Sequence, residues 1–218
     1  MDIYILSLAE SYSIGIAATI GLVRFKVIDK SYHPFIWICC LAFVNEIIST
    51  ITAQVFRNNA INLNIYVLCE ALLYIRLFYN WGEFKVSVNS YYGLCIFLVA
   101  VWVLDNFILN SFLTINSLFR IIYSFTLIFL AINQGNRMLF NTRGALLKNP
   151  RFLISTGIVI FYSYKATFET FYLFNLNFSN NFYNSIHLIL EAVNLLVNLI
   201  FALAVLWIPG RQKFILRY

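Results

Sequence analysis

The chain has 218 residues, of which 61% are hydrophobic and 11% are charged, with a mean hydropathy of +0.80 and a formal net charge of +6. Because about a quarter of the residues in soluble globular proteins are charged, this composition excludes a soluble domain and predicts an integral membrane protein. With roughly 20 residues needed for each membrane-spanning helix, the length accommodates about seven spans and no separate extramembrane domain. We therefore predict an all-α, seven-helix transmembrane bundle that forms one domain, residues 1–218.

The hydrophobic segments place the predicted spans, in chain order, at residues 3–25, 34–56, 60–81, 91–109, 112–134, 152–173 and 184–207. No Lys or Arg precedes the first span and no cleavage site of small residues follows it, so we expect this span to be retained. Only residues 57–59 separate spans two and three, which predicts that these two spans are antiparallel neighbours.

Polar and ionisable side chains recur inside these spans at helical spacing. In the last span, His187, Glu191 and Asn194 follow one another at steps of four and three residues, so they lie on one helical stripe. Since ionisable groups are costly in lipid, such stripes must face a protein interior or a water-filled cavity. We predict that the following residues form one ligand or ion pocket in the outer half of the bundle: Glu46, Tyr66, Glu70, Arg120, Lys165, Glu169, His187, Glu191 and Asn194.

The basic residues fall in alternate loops. Twelve of the fifteen Lys and Arg residues lie on one side of the predicted spans, one lies on the other side, and two lie within spans. The positive-inside rule then places the N-terminus outside and the C-terminus in the cytoplasm. We expect a multi-pass protein of the plasma membrane, specifically a bacterial inner membrane.

The positive net charge does not indicate nucleic-acid binding, because topology and anionic lipid headgroups account for the basic loops. The lipid bilayer is thus the expected partner, and the basic loop at residues 135–151 is the candidate contact for a cytoplasmic protein. The four cysteines lie within spans and show no zinc-like spacing, so we interpret them as packing residues.

Buried acids outnumber buried cations. Apart from Glu10, which lies near the outer end of the first span, the predicted spans hold only two fixed cations, Arg120 and Lys165, against five acids: Glu46, Glu70, Asp105, Glu169 and Glu191. The excess carboxylates must be protonated or neutralised by a cation or an amine-bearing ligand. The alternative is purely structural: Lys165 would pair with Glu169 or Glu191, and Arg120 with Asp105 or Glu46.

No cofactor is expected. His187 and Glu191 are weak candidates for metal ligands, because their spacing puts both on one helical face. Seven spans are also typical of rhodopsins, but the last span contains no lysine that could bind retinal.

Two segments resemble known sequences. NEIIST in span two and RNNAINLNIYVLCEALLYIRLFYNW through span three are similar to a group of small bacterial membrane proteins of similar length. This resemblance covers most of spans two and three and implies no activity.

Three functions remain open. The first is a binding or sensing module whose acid-rich pocket accepts a small cationic or polar ligand and signals to a cytoplasmic partner. The second is a proton- or cation-coupled transporter or channel, with Glu46, Glu70 and Glu191 as the titrating groups. The third is an intramembrane enzyme with His187 as general base, assisted by Glu191 or Glu169.

Overall fold

We describe residues 3–85, 87–141, 146–174 and 179–210 of a computed structural model. In this part of the chain the structure is all-α, as predicted, with seven helices. They are α1 (Ile3–Arg24), α2 (His33–Phe56), α3 (Ala60–Asn80), α4 (Val88–Val103), α5 (Ser117–Asn141), α6 (Pro150–Leu173) and α7 (Asn180–Trp207). A π-helical segment, Leu104–Leu109, extends α4.

Five helical segments are long and apolar enough to cross a membrane. These are Lys30–Phe56, Ala60–Asn80, Val88–Leu109, Ser117–Phe140 and Asn184–Trp207. Helices α1 and α6 are not among the five. In α6, Lys165 and Glu169 lower the mean hydropathy of the segment. The membrane character of the chain is therefore supported, while the full set of seven crossings remains a prediction.

Two predicted spans start at different residues in the structure, and span five ends later, at Asn141 and not near residue 134. Helix α5 begins at Ser117 and not near residue 112, because residues 111–116 form turns and the carboxylate of Asp105 accepts a hydrogen bond from the Phe119 N–H at 2.8 Å. That carboxylate supplies an acceptor at the start of α5, where backbone N–H groups otherwise have none. The last predicted span, residues 184–207, matches the membrane-compatible segment Asn184–Trp207, and helix α7 extends this segment by one turn to residue 180, where the Ser179 side chain accepts a hydrogen bond from the Phe182 N–H. Helix α4 begins at Val88 and not at 91, where Ser87 caps it in the same way.

The helices form a ring around a polar interior. Along the ring, α1 packs against α2, α2 against α3, α3 against α5, α5 against α6, α6 against α7, and α7 against α1. Helix α4 packs against α3 and α5. Gly157 permits the close approach of α6 to α7, because a Cβ atom at this position would lie 2.5 Å from the ring of Phe201.

The loops that carry most of the basic residues meet at one end of the bundle, which we call the basic end. There the Arg24 guanidinium, at the end of α1, donates hydrogen bonds to the carbonyl oxygens of Val205 and Leu206, each at 2.6 Å. The Arg151 guanidinium lies over the rings of Tyr32 and Trp81. These contacts join the ends of α1, α3, α6 and α7. Arg143 and residues 211–218 lie outside the described residues.

The opposite end, which we call the Asn-rich end, holds the α2–α3 connection and the turns before α5. The Asn58 side-chain amide donates a hydrogen bond to the Leu113 carbonyl at 3.1 Å. The Asn64 side-chain amide donates to the Thr114 carbonyl at 2.8 Å. Asparagine side chains thus hold the loops of this end against α3.

Candidate functional site

A cavity of about 190 Å³ lies inside the ring, between α1, α2, α3, α6 and α7, and we call it the central cavity. Its polar lining consists of Ser11, Asn45, Glu46, Tyr66, Glu70, Tyr74, Tyr162, Lys165, Asn194 and Asn198. Its apolar lining includes Ile38, Cys39, Leu63 and Phe201. Five helices therefore contribute polar and apolar side chains to one shared space.

Glu70 is at the centre of a hydrogen-bond network on one wall of this cavity. Its carboxylate accepts hydrogen bonds from the hydroxyls of Tyr66 at 2.6 Å and Tyr123 at 2.9 Å. The Lys165 ammonium donates to the Tyr123 hydroxyl at 2.6 Å and lies 3.9 Å from the Glu70 carboxylate. Glu70 is thus held by three partners from α3, α5 and α6. Lys165 pairs with Glu70, so its expected pairing with Glu169 or Glu191 is wrong.

Glu46, on the neighbouring helix α2, has a different environment: its charge interacts with that of Lys165, but the two groups form no ion pair. It lines the central cavity, and among the described residues no Lys, Arg or His nitrogen lies within 4.0 Å of its carboxylate. Ser11 provides a side-chain hydrogen bond. Glu46 is therefore the cavity carboxylate that has no cationic partner in the described structure.

Glu10 is a buried acid that the sequence interpretation left out of the pocket. The side-chain amide of Asn194 donates a hydrogen bond to its carboxylate, and Glu10 is close enough to Glu46 and Glu191 for their charges to repel. One turn further along α1, the Ser13 hydroxyl accepts a hydrogen bond from the Asn198 amide at 2.8 Å. The signal for Glu10 was present in the sequence, as an acid inside a predicted span.

A second, larger cavity of about 740 Å³ lies at the Asn-rich end, and we call it the end cavity. Arg120 and Glu169 line it and form a buried ion pair, with Nη1 of Arg120 3.2 Å from Oε1 of Glu169. The Ser117 hydroxyl donates to the other carboxylate oxygen of Glu169 at 2.6 Å. Nε and Nη2 of Arg120 have no hydrogen-bond acceptor among the described residues. The expected pairing of Arg120 with Asp105 or Glu46 is therefore wrong.

Asp105 instead has a structural role at the start of α5. It is fully buried, and besides the Phe119 N–H it accepts a hydrogen bond from the Asn110 side-chain amide at 2.8 Å. These partners hold the π-helical segment against the first turn of α5.

His187 and Glu191 form a pair on α7, with Nε2 of the imidazole 3.9 Å from the carboxylate. His187 lines the end cavity, whereas Glu191 lines neither cavity. Among the described residues there is no group of three or more His, Cys, Asp or Glu side chains that could hold a metal ion. The proposed metal and enzyme roles of this pair stay predictions.

The structure thus divides the predicted pocket residues between two cavities. Those that line the central cavity are Glu46, Tyr66, Glu70, Lys165 and Asn194. Those that line the end cavity are Arg120, Glu169 and His187. We expected one shared space, whereas these residues line two cavities, and Glu191 lines neither.

Comparison with protein-family models, curated proteins and solved structures finds no match to this chain. The case for a function therefore depends on the geometry of the two cavities.

Proposed function

We propose that the central cavity binds a small cation or an amine-bearing molecule, and that the protein is a membrane-embedded binding or sensing module. The observation that carries this proposal is the carboxylate of Glu46, which lines the cavity without a cationic partner among the described residues. The nearest fixed cation, Lys165, is already shared with Glu70 and Tyr123.

The charge around the cavity favours a cationic ligand. Glu10 lies close enough to Glu46 and Glu191 to interact with both electrostatically. Like charges in a medium of low dielectric constant repel strongly, and an ionised carboxylate without a partner is costly there. A cation bound beside Glu46 would offset both the repulsion between the carboxylates and the cost of burying an ionised carboxylate without a partner. The amide of Asn194 and the hydroxyl of Ser11 offer further polar contacts at the same wall.

The size of the cavity limits the ligand. A water molecule occupies about 30 Å³ of liquid, so 190 Å³ has room for about six waters. This space suits a monovalent cation with part of its hydration shell, or a small primary amine. Drug-sized molecules need pockets of roughly 300–1,000 Å³.

Lys165 couples the central cavity to helices α5 and α6. It lines the central cavity on α6 and bonds to Tyr123 on α5. These two helices continue to the basic segment 135–151, of which residues 142–145 lie outside the described residues. We propose that a cytoplasmic partner binds this segment and that a ligand-dependent shift of α5 and α6 reaches it. The proposal includes seven spans, an outer N-terminus and a bacterial inner-membrane location.

A second candidate function is cation-coupled transport. The observation that favours it is the position of the two cavities, which share the side chain of Leu63 as a lining residue. In a transporter, a route leads from one membrane surface to a binding site near the midplane, and this site is closed towards the other surface. Proteoliposomes would show cation flux driven by a pH gradient, with loss of flux in Glu46→Gln, if this function is correct.

Thermal unfolding of the detergent-solubilised protein tests the binding proposal. Methylammonium should raise the unfolding temperature of the wild type, whereas tetrabutylammonium at equal ionic strength is far too large for the cavity and should not. The shift should disappear in Glu46→Gln. It should persist in the matched control Glu83→Gln, whose carboxylate pairs with Arg137 at the basic end. Equal shifts in all three proteins would overturn the proposal.

A further inference from the structure

The two cavities lie one above the other along the bundle. On α3, one helical stripe runs from Asn59 in the end cavity, through Leu63, to Tyr66 and Glu70 in the central cavity. With a rise of about 1.5 Å per residue, Glu70 lies about 10 Å deeper than Leu63 along the helix axis.

Helix α6 repeats this order in the opposite chain direction. Tyr172 and Glu169 line the end cavity, and Lys165 and Tyr162 line the central cavity, again on one stripe. The same faces of α3 and α6 therefore continue from one cavity into the other. Leu63 is the one described residue that lines both cavities, and its side chain is only partly buried.

An apolar layer bounds the central cavity towards the basic end. One turn beyond the cavity lining, each contributing helix places a fully buried apolar side chain in this layer. They are Ala17 on α1, Phe35 on α2, Phe78 on α3, Ile158 on α6 and Val205 on α7, all with 0% of their surface exposed. Because these five side chains are packed on all sides, the polar lining of the cavity does not continue past them towards the basic end, whereas it does continue towards the Asn-rich end.

We infer that the central cavity is reached from the Asn-rich end, through the end cavity, and that Leu63 controls the passage. This inference depends on the proposed function only for the identity of the ligand. A leucine at this position is well suited to the role, since a partly exposed side chain changes rotamer rapidly. Its apolar surface also separates the hydroxyl and carboxylate groups of the central cavity from the amides at the Asn-rich end.

A cysteine introduced by Ala42→Cys reports on this passage. Ala42 lines the central cavity and is partly exposed, whereas the native Cys39, which also lines it, is fully buried. In a chain with all four native cysteines replaced by Ala, only this introduced thiol can react with 2-aminoethyl methanethiosulfonate, a small cationic thiol reagent. The rate of this modification, followed by intact-mass spectrometry on the protein in nanodiscs, measures access to the cavity without requiring knowledge of the ligand.

In the Ala42→Cys background, Leu63→Ala should increase the rate of modification by about tenfold or more, which corresponds to a barrier lowered by about 1.4 kcal/mol. The Leu63→Trp variant should decrease the rate. The matched control Leu68→Ala changes a leucine of α3 that lines neither cavity, and it should leave the rate unchanged.

Equal rates in the Ala42→Cys parent, Leu63→Ala and Leu68→Ala would overturn the inference, even if Leu63→Trp failed to fold. An increase of the same size in Leu68→Ala and Leu63→Ala would also overturn it, because general loosening of α3 would then explain both. If methylammonium does not raise the unfolding temperature but the modification rate still depends on Leu63, the proposed ligand class is refuted and the passage is still supported.

Discussion

The ammonium nitrogen of Lys165 lies 2.6 Å from the hydroxyl oxygen of Tyr123. The same hydroxyl donates to Glu70 at 2.9 Å, so a single tyrosine connects the cation of α6 to the carboxylate of α3. Tyr123 and Glu70 are buried and Lys165 is mostly buried, and a hydrogen bond between charged and polar groups in such surroundings is costly to break.

Replacing Tyr123 by Phe should destabilise the protein by about 1–3 kcal/mol, because Lys165 and Glu70 would each lose a hydrogen bond while remaining buried. Unfolding by increasing SDS in mixed micelles measures the change. Tyr92→Phe is the matched control, since Tyr92 is 59% exposed. Equal stability of the two variants would contradict the role of the Tyr123 hydroxyl.

The buried pair of Arg120 and Glu169 gives a second prediction. Arg120→Met should destabilise the protein by about 3–5 kcal/mol, because it leaves the Glu169 carboxylate buried without its cation. The double variant Arg120→Met, Glu169→Met should recover much of the loss. The same unfolding assay checks this, and a double variant as unstable as the sum of its two single variants would count against the pair.

The topology gives a third prediction. In a chain without native cysteines, Leu113→Cys at the Asn-rich end should react with a membrane-impermeant maleimide on intact cells. Lys148→Cys at the basic end should react only after the membrane is permeabilised, because the positive-inside rule places this end in the cytoplasm. Both side chains are exposed. The reverse labelling pattern would refute the proposed orientation.

Asp29, in the connection between α1 and α2, gives a pH prediction. The backbone N–H of Ser31 donates a hydrogen bond to the Asp29 carboxylate at 2.8 Å, and the polar groups of Ser31 lower the pKa of Asp29 below the ordinary value. A lowered pKa contributes stability that is present above the unfolded-state pKa of about 3.9 and is lost as the pH falls through the folded-state pKa.

Asp29→Ala should therefore cost between a few tenths of a kcal/mol and about 1 kcal/mol at pH 7, since the carboxylate is partly exposed and screened by solvent. The difference from the wild type should shrink below about pH 4. Unfolding curves collected between pH 3 and pH 7 measure it, and a difference that grows towards low pH would have the wrong sign.

The sequence predicts which side chains share a face of one helix, but it does not predict which side chains of different helices contact each other. Tyr66 and Glu70, four residues apart on span three, were predicted to share a pocket, and both line the central cavity. Helical spacing could not show that Lys165 contacts Glu70, because partners on different helices depend on how the helices rotate and pack. Tyr123 was visible as a polar residue of span five, but its position between two charges is a property of the assembled bundle.

The predicted start of α5 is wrong for a local reason. Residues 112–116 are apolar enough to continue a membrane span, but Asp105 and Asn116 bind the turns of this segment through side-chain hydrogen bonds. Such bonds compete with helix formation, and hydropathy does not register them. The same limitation explains why Asp105 was assigned to the charged interior when it holds the start of α5.

The central claim is that the space beside Glu46 accepts a cation. Diffraction from crystals grown in rubidium chloride tests this most directly, because the anomalous signal of rubidium locates the ion without reference to any activity. The account predicts an anomalous peak in the central cavity within contact of the Glu46 carboxylate, absent from crystals of Glu46→Gln. Occupied rubidium sites on the protein surface together with a central cavity that contains no peak, or that is filled by side chains, would contradict it.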